Sequence, residues 1–176
     1  MKKFATIITR VFDPFIMLAV LFAILLSHSM IFIPAFLSMV ILPFLLFVIA
    51  VKTKFVSDWD LRDRRERPKI LWSLIGIETV CLLIFHLWFL LPIIISLIGF
   101  AIITHFWKIS GHTMSAGLAT GIVVLTYGWV WWPVLLIVPL VGWSRVVRKN
   151  HTLLQVILGA IYSWAFVMLL PRVVIF

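Results

Sequence analysis

Residues Trp143–Gly159 read W-S-R-V-V-R-K-N-H-T-L-L-Q-V-I-L-G. A Ser-Arg pair, a short basic run and a histidine stand here between two strongly apolar stretches. Cations at the end of a membrane span are costly unless they reach the surface or serve a site. His151 lies six residues after Arg145, and Gln155 follows four residues later, one helical turn. An arginine, an imidazole and an amide can therefore converge where one helix stops and the next starts.

The composition around this stretch decides the solvent. The chain has 176 residues, of which 64% are hydrophobic and 12% charged, and its mean hydropathy is +1.23. Soluble domains are roughly 45–50% apolar, so these charges are too few to cover a globular surface. A transmembrane barrel needs alternating polarity, and the apolar runs here are unbroken. The expectation is an all-α polytopic membrane protein forming a single integral membrane domain over residues 1–176. Cys81 is the one cysteine and lies inside an apolar run, so it reads as a small buried hydrophobe. The net charge of +9 does not point to nucleic acid, because the cations sit in short segments between spans. It fits either membrane topology or an anionic substrate.

The chain begins with Lys2, Lys3 and Arg10 ahead of an apolar run, Pro14–Leu26. No small-residue cleavage site follows, so this reads as a retained first span. After the uncharged turn Ser27–Phe32 a second span covers about Ile33–Val51, with Pro34 in its first turn and a kink expected at Pro43. The polar segment Lys52–Lys69 holds seven cations and four of the six acids. Arg62 with Glu66, and Asp63 with Arg67, have the spacing of a short amphipathic helix with paired charges. Further spans are expected at about Lys69–Leu87, where Pro68 fits the first turn, and at about Leu91–Trp107, Met114–Tyr127, Pro133–Trp143 and Thr152–Leu170. Gly117 and Gly121 are spaced to let another helix approach closely. Trp129, Trp131 and Trp132 read as an interfacial belt.

Fourteen of the fifteen Lys and Arg residues fall in the N-terminus and in three breaks, Lys52–Lys69, Lys108–Thr113 and Ser144–His151; Arg172 is the exception. With seven spans these segments share one face, which the charge bias makes cytoplasmic, in the cell membrane. That face gathers Arg64, Arg65 and Arg67, then Ser110, Gly111 and His112, then Arg145 and His151. Arginines and a helix N-terminus bind phosphate oxygens well. Of two histidines, one can attack phosphorus and the other protonate the departing oxygen. Arginines that neutralise the developing charge make a metal or other cofactor unnecessary.

Arg67-Pro68, Ser110-Gly111-His112 and Ser144-Arg145…His151, in that order and with Gly159 beyond them, resemble the motifs of the type 2 phosphatidic acid phosphatase superfamily, membrane lipid phosphatases related to vanadium haloperoxidases. The resemblance implies a bundle of six to seven transmembrane helices. It also implies a lipid phosphate or pyrophosphate substrate: phosphatidic acid, phosphatidylglycerol phosphate or a polyprenyl pyrophosphate. His151 would be the nucleophile that forms a phosphohistidine, and His112 the general acid. Arg67 and Arg145 would clamp the phosphoryl oxygens, with Ser110 and the Gly111 N–H completing the cradle; Arg64 is a further candidate phosphate ligand, and Arg64, Lys69 or Lys54 could stand in for the family's lysine, which is Asp60 here. The sequence departs from the family at Asp60, where a lysine is usual, at Ile109, where a proline is usual, and at Gln155, where an aspartate is usual. Gln155 can accept the same hydrogen bond from His151 but carries no charge.

Two other readings belong to different classes. Asp58, Asp60 and Asp63 could hold Mg²⁺ for a lipid or prenyl transferase, although no second aspartate-rich motif follows. Asp60 and Gln155 at family positions also fit a non-catalytic lipid-binding protein. His28, His86 and His105 match no motif and read as interfacial or packing residues. Glu78 is an unusual acid within a span. Asn150-His151-Thr152 is formally a glycosylation sequon, but its place at the membrane argues against use.

Overall fold

The computed structural model describes residues 1–169, so Arg172 and the last residue of the expected final span lie outside the described residues. In chain order the helices are α1 (Lys2–Val11), α2 (Pro14–Leu26), α3 (Phe32–Phe36), α4 (Leu42–Lys52), α5 (Arg67–Phe85), α6 (Leu91–Phe106), α7 (Gly111–Tyr127), α8 (Ile137–Val147) and α9 (Leu153–Leu169). Short 3₁₀ segments lead into α5, α6 and α8. No strand occurs among the described residues.

Four helical stretches are long and apolar enough to cross a bilayer: Phe32–Lys52, Arg64–Phe85, Trp88–Phe106 and Trp129–Val147. The pair α1–α2, bent by 43°, makes a fifth if it counts as one span. No more than a third of any of the four is buried within the chain. Such outward apolar surface needs hydrocarbon rather than water around it, so this is a helical membrane protein. The count is below the six to seven expected from the apolar runs. The difference lies in α7 and the described part of α9, which have 17 residues each and stand at the short end of what a core of about 30 Å requires. The tryptophans of the expected belt, Trp129, Trp131 and Trp132, are exposed on the 3₁₀ segment Trp129–Leu136.

The chain divides into two compact units. One comprises residues 1–21 with those from 109 onward. Its central contact is α7 against α9. A Cβ on Gly117 would strike the Ser163 side chain, one on Gly121 would lie 3.1 Å from Val167, and one on Gly159 would lie 2.6 Å from Thr113 Oγ1. These contacts advance together along both helices, so α7 and α9 run parallel, with α9 starting about one turn before α7. The close approach expected of Gly117 and Gly121 is therefore made, and the partner is α9. Between them in sequence, α8 runs the other way: near its end a Cβ on Gly142 would lie 2.5 Å from Val156, in the first turn of α9. Helix α1 docks on α8 through buried Ala5, Ile8 and Thr9. Ser144 Oγ donates to the Val141 carbonyl at 2.7 Å, so in its 3.0 Å contact with Thr9 Oγ1 the threonine is the donor.

The other unit, residues 22–108, is built on the hairpin of α5 and α6, with α4 packed on α5. Pro43 is accommodated by widening rather than breaking the helix. Residues Leu37–Ile41 form a π-helical stretch, and the Leu42 N–H reaches back to the Leu37 carbonyl. The expected amphipathic helix within Lys52–Lys69 does not form. Glu66 accepts from the backbone N–H and hydroxyl of Ser57, both at 2.9 Å, instead of pairing with Arg62. Asp63 accepts from the Arg65 N–H at 2.9 Å instead of pairing with Arg67. Lys54 and Leu61 take left-handed backbone angles, φ 58° and 46°. Side chains that satisfy nearby backbone groups compete with helix formation, and here they prevail.

Candidate active site

The motif Ser144–His151 is a helix stop followed by a helix start. Helix α8 ends with the Lys149 N–H on the Val146 carbonyl at 2.9 Å and the Asn150 N–H on the Arg145 carbonyl at 3.0 Å. Lys149, at φ 57°, is the left-handed residue between them. This is a Schellman closure with lysine where glycine is usual. The His151 N–H also reaches the Arg145 carbonyl, at 3.4 Å. The five residues separating Arg145 from His151 are thus the length of one capped turn, and the backbone itself holds the two together. The Arg145 side chain is fully buried in the last turn of α8, and His151 is buried too.

The next helix opens on a capping box. Thr152 Oγ1 accepts from the Gln155 N–H at 3.3 Å, and Gln155 Oε1 accepts from the Thr152 N–H at 3.2 Å. The second of these bonds fixes which end of the Gln155 amide is oxygen. That same oxygen lies 3.1 Å from His151 Nδ1. An amide oxygen only accepts, so Nδ1 is a protonated ring nitrogen, and in the neutral ring the lone pair is then on Nε2. Gln155 therefore does two jobs with one atom: it caps α9 and sets the tautomer of His151.

At the start of α7, Ser110 is the N-cap, its hydroxyl accepting from the Thr113 N–H at 3.4 Å. Its backbone N–H is engaged by the Gln155 carbonyl at 3.0 Å. Thr113 Oγ1 lies 3.1 Å from the Ser110 carbonyl and 3.2 Å from the Val156 carbonyl of α9. The Ser110–Thr113 turn is thus stitched to the turn that bears Gln155. Gly159 leaves room for it, since a Cβ there would lie 2.7 Å from the Ser110 carbonyl oxygen. Gly111 opens the helix and His112 follows it, so His112 and His151 stand at the starts of two parallel helices. His112 Nε2 lies 3.9 Å from Asp13 Oδ2.

Sequence reasoning passed over two residues in this unit. Asp13, between the basic N-terminus and the first apolar run, is one. Its Asp-Pro helix-start signature was the available signal. Asn150 was noted only as a formal sequon. It is buried beside His151, with no hydrogen-bond partner for Nδ2 among the described residues.

The remaining expected site residues lie in the other unit. Arg67 is buried in the first turn of α5, and its Nε donates to the Leu61 carbonyl at 2.9 Å. Arg64 Nη1 donates to the carbonyls of His105 and Phe106, where it caps the C-terminus of α6. Asp58 Oδ1 accepts from the Asp60 N–H at 2.7 Å. Among the described residues no three His, Cys, Asp or Glu side chains gather as a metal site would need. His86 takes a left-handed angle, φ 53°, and closes α5. Glu78 is buried within α5.

No protein-family model matches the chain, and no solved structure does. One curated protein it resembles is the lipid A 4′-phosphatase of Helicobacter pylori, 43% identical over 58 residues. That match covers 32% of this chain and spans 29% of the length of the relative.

Proposed function

We propose that the chain is a membrane lipid phosphatase of the type 2 phosphatidic acid phosphatase superfamily, working through a phosphohistidine on His151. The observation that carries this reading is the pairing of His151 Nδ1 with Gln155 Oε1, directly after a turn that joins His151 to a buried Arg145. Such an arrangement prepares a nucleophilic imidazole beside a fixed cation. The ordered motifs and the partial likeness to a lipid A 4′-phosphatase support the same reading.

In the first step His151 Nε2 attacks phosphorus, forming an N–P bond while the P–O bond to the lipid breaks. His112 gives its proton to the departing oxygen. In the second step a water oxygen attacks phosphorus, the N–P bond breaks, and His112 takes the proton of that water. Arg145 and Arg67 balance the charge on the phosphoryl oxygens, and the Gly111 N–H at the start of α7 adds a donor. The hydroxyl proton of Ser110 adds another, because its N-cap role uses only the oxygen as acceptor. Gln155 keeps Nδ1 protonated throughout but cannot neutralise the imidazolium as a carboxylate would. The arginines supply the electrostatic stabilisation, so no step calls for a metal. The substrate class is a lipid carrying a terminal phosphate or pyrophosphate: lipid A 4′-phosphate, phosphatidic acid, phosphatidylglycerol phosphate or a polyprenyl pyrophosphate.

The test is phosphate release from each of these lipids by the purified protein in the presence of chelator. Wild type is expected to release phosphate and to yield an acid-labile phosphoryl group on His151. His151→Ala is expected to lose both. Full activity in His151→Ala would overturn the nucleophile assignment.

A further inference from the structure

The sequence of residues 1–21 and 109–176 contains one acidic side chain, Asp13, against seven Lys and Arg and two histidines. Asp13 sits at the bend between α1 and α2, where Oδ1 accepts the Phe15 N–H at 3.0 Å and so caps α2, with Pro14 behind it. Its second oxygen, Oδ2, is 3.9 Å from His112 Nε2. The cap bond holds the carboxylate in place, and the docking of α1 on α8 through Thr9 and Ser144 holds the segment that carries it.

We propose that Asp13 is the positioning residue of the general acid, keeping His112 protonated until the leaving oxygen takes its proton. Its mechanistic role rests on the phosphatase reading; its pairing with His112 does not. The other ionisable groups on the elements around α7 all act against that proton or are too far along to matter. Helix α8 brings Arg145, and its C-cap is Arg148. The turn before α9 brings Lys149 and His151, and α1 carries Lys2, Lys3 and Arg10. Tyr162 lies farther along α9, and the 3₁₀ segment before α8 has no ionisable side chain. In a unit so cationic, an imidazole without a nearby anion is driven to its neutral form, which cannot donate to a leaving group from that nitrogen when it is the unprotonated one. Asp13 reverses that balance at one nitrogen. At 3.9 Å the contact is electrostatic, and a carboxylate at that distance favours the charged imidazolium.

The experiment titrates the full-length protein in detergent micelles by imidazole carbon NMR, with His112 assigned from the signal missing in His112→Gln. Asparagine caps a helix as well as aspartate does, so Asp13→Asn removes the charge and keeps the fold. The expected result is a fall of the His112 midpoint by about one pH unit in Asp13→Asn, with exposed His28 unmoved. In the lipid phosphatase assay the alkaline limb of the kcat profile moves to lower pH by the same amount, because the acid form of His112 is lost earlier. A His112 midpoint unchanged in Asp13→Asn overturns the proposal. Asp13→Ser, which also caps, repeats the measurement if the asparagine variant does not fold, and is expected to give the same downward shift. If wild type cleaves no lipid phosphate, the phosphatase reading falls, while the midpoint still decides whether Asp13 governs His112.

Discussion

Gln155 joins the start of α9 to His151 through a single atom. Its amide oxygen receives both the Thr152 N–H and the His151 Nδ1–H. Gln155→Leu is expected to lower kcat about 100-fold, the scale of losing an oriented acid–base group, with a much smaller change in KM. The loss of the cap is expected to reduce stability by about 1 kcal/mol, read from thermal unfolding in detergent. Gln155→Glu keeps the reach of the side chain and adds the missing charge, so its kcat should equal or exceed wild type in the same assay. The His151–Gln155 neighbourhood was legible in the sequence because four residues on a helix is a contact distance. Asp13 was not, because its contact with His112 depends on how α1 docks, and no periodicity within a window reports that. The cost of a left-handed lysine was equally hidden. Lys149→Gly should stabilise the Schellman turn by about 0.5–1 kcal/mol, measured as a raised unfolding temperature.

At the scale of elements, the glycines of α7 and α9 set the level at which the two histidine-bearing turns meet. Gly159 is the most demanding, since a Cβ there would meet a backbone carbonyl as well as Thr113 Oγ1. Gly159→Ala is expected to cost about 1–3 kcal/mol of stability and to depress kcat by separating the two turns. Gly76, where a Cβ would meet nothing within 4 Å, provides the contrast: Gly76→Ala should leave the unfolding temperature unchanged or raised. The helices themselves were legible because long apolar runs leave little choice of structure in lipid. Lys52–Lys69 was misread because i,i+4 charge spacing describes a helix that already exists. It does not weigh the bonds that Ser57 and Glu66, or Asp63 and Arg65, make when the chain turns instead.

For the molecule as a whole, composition alone was enough to place the chain in a membrane, but not to count its crossings. The short α7 and α9 leave that number to direct measurement. In a Cys81→Ala background, single cysteines at Lys54, Lys108 and Lys149 should react with an impermeant reagent from one side of the membrane, and a cysteine at Trp131 from the other. Labelling of Lys108 and Lys149 positions from opposite sides would overturn the shared-face arrangement. The turn between Arg145 and His151 also bears on how such a site tolerates change in chain length. Its reach is set by local stop and start signals, so substitutions at Val146 or Val147 alter packing but not spacing. A single inserted residue after Arg148 breaks the closure and the register of both groups at once. The segment from Ser144 to Gln155 is therefore a self-measuring cassette, and grafted between other helices that end and begin at one level it would carry its own arginine–histidine geometry with it.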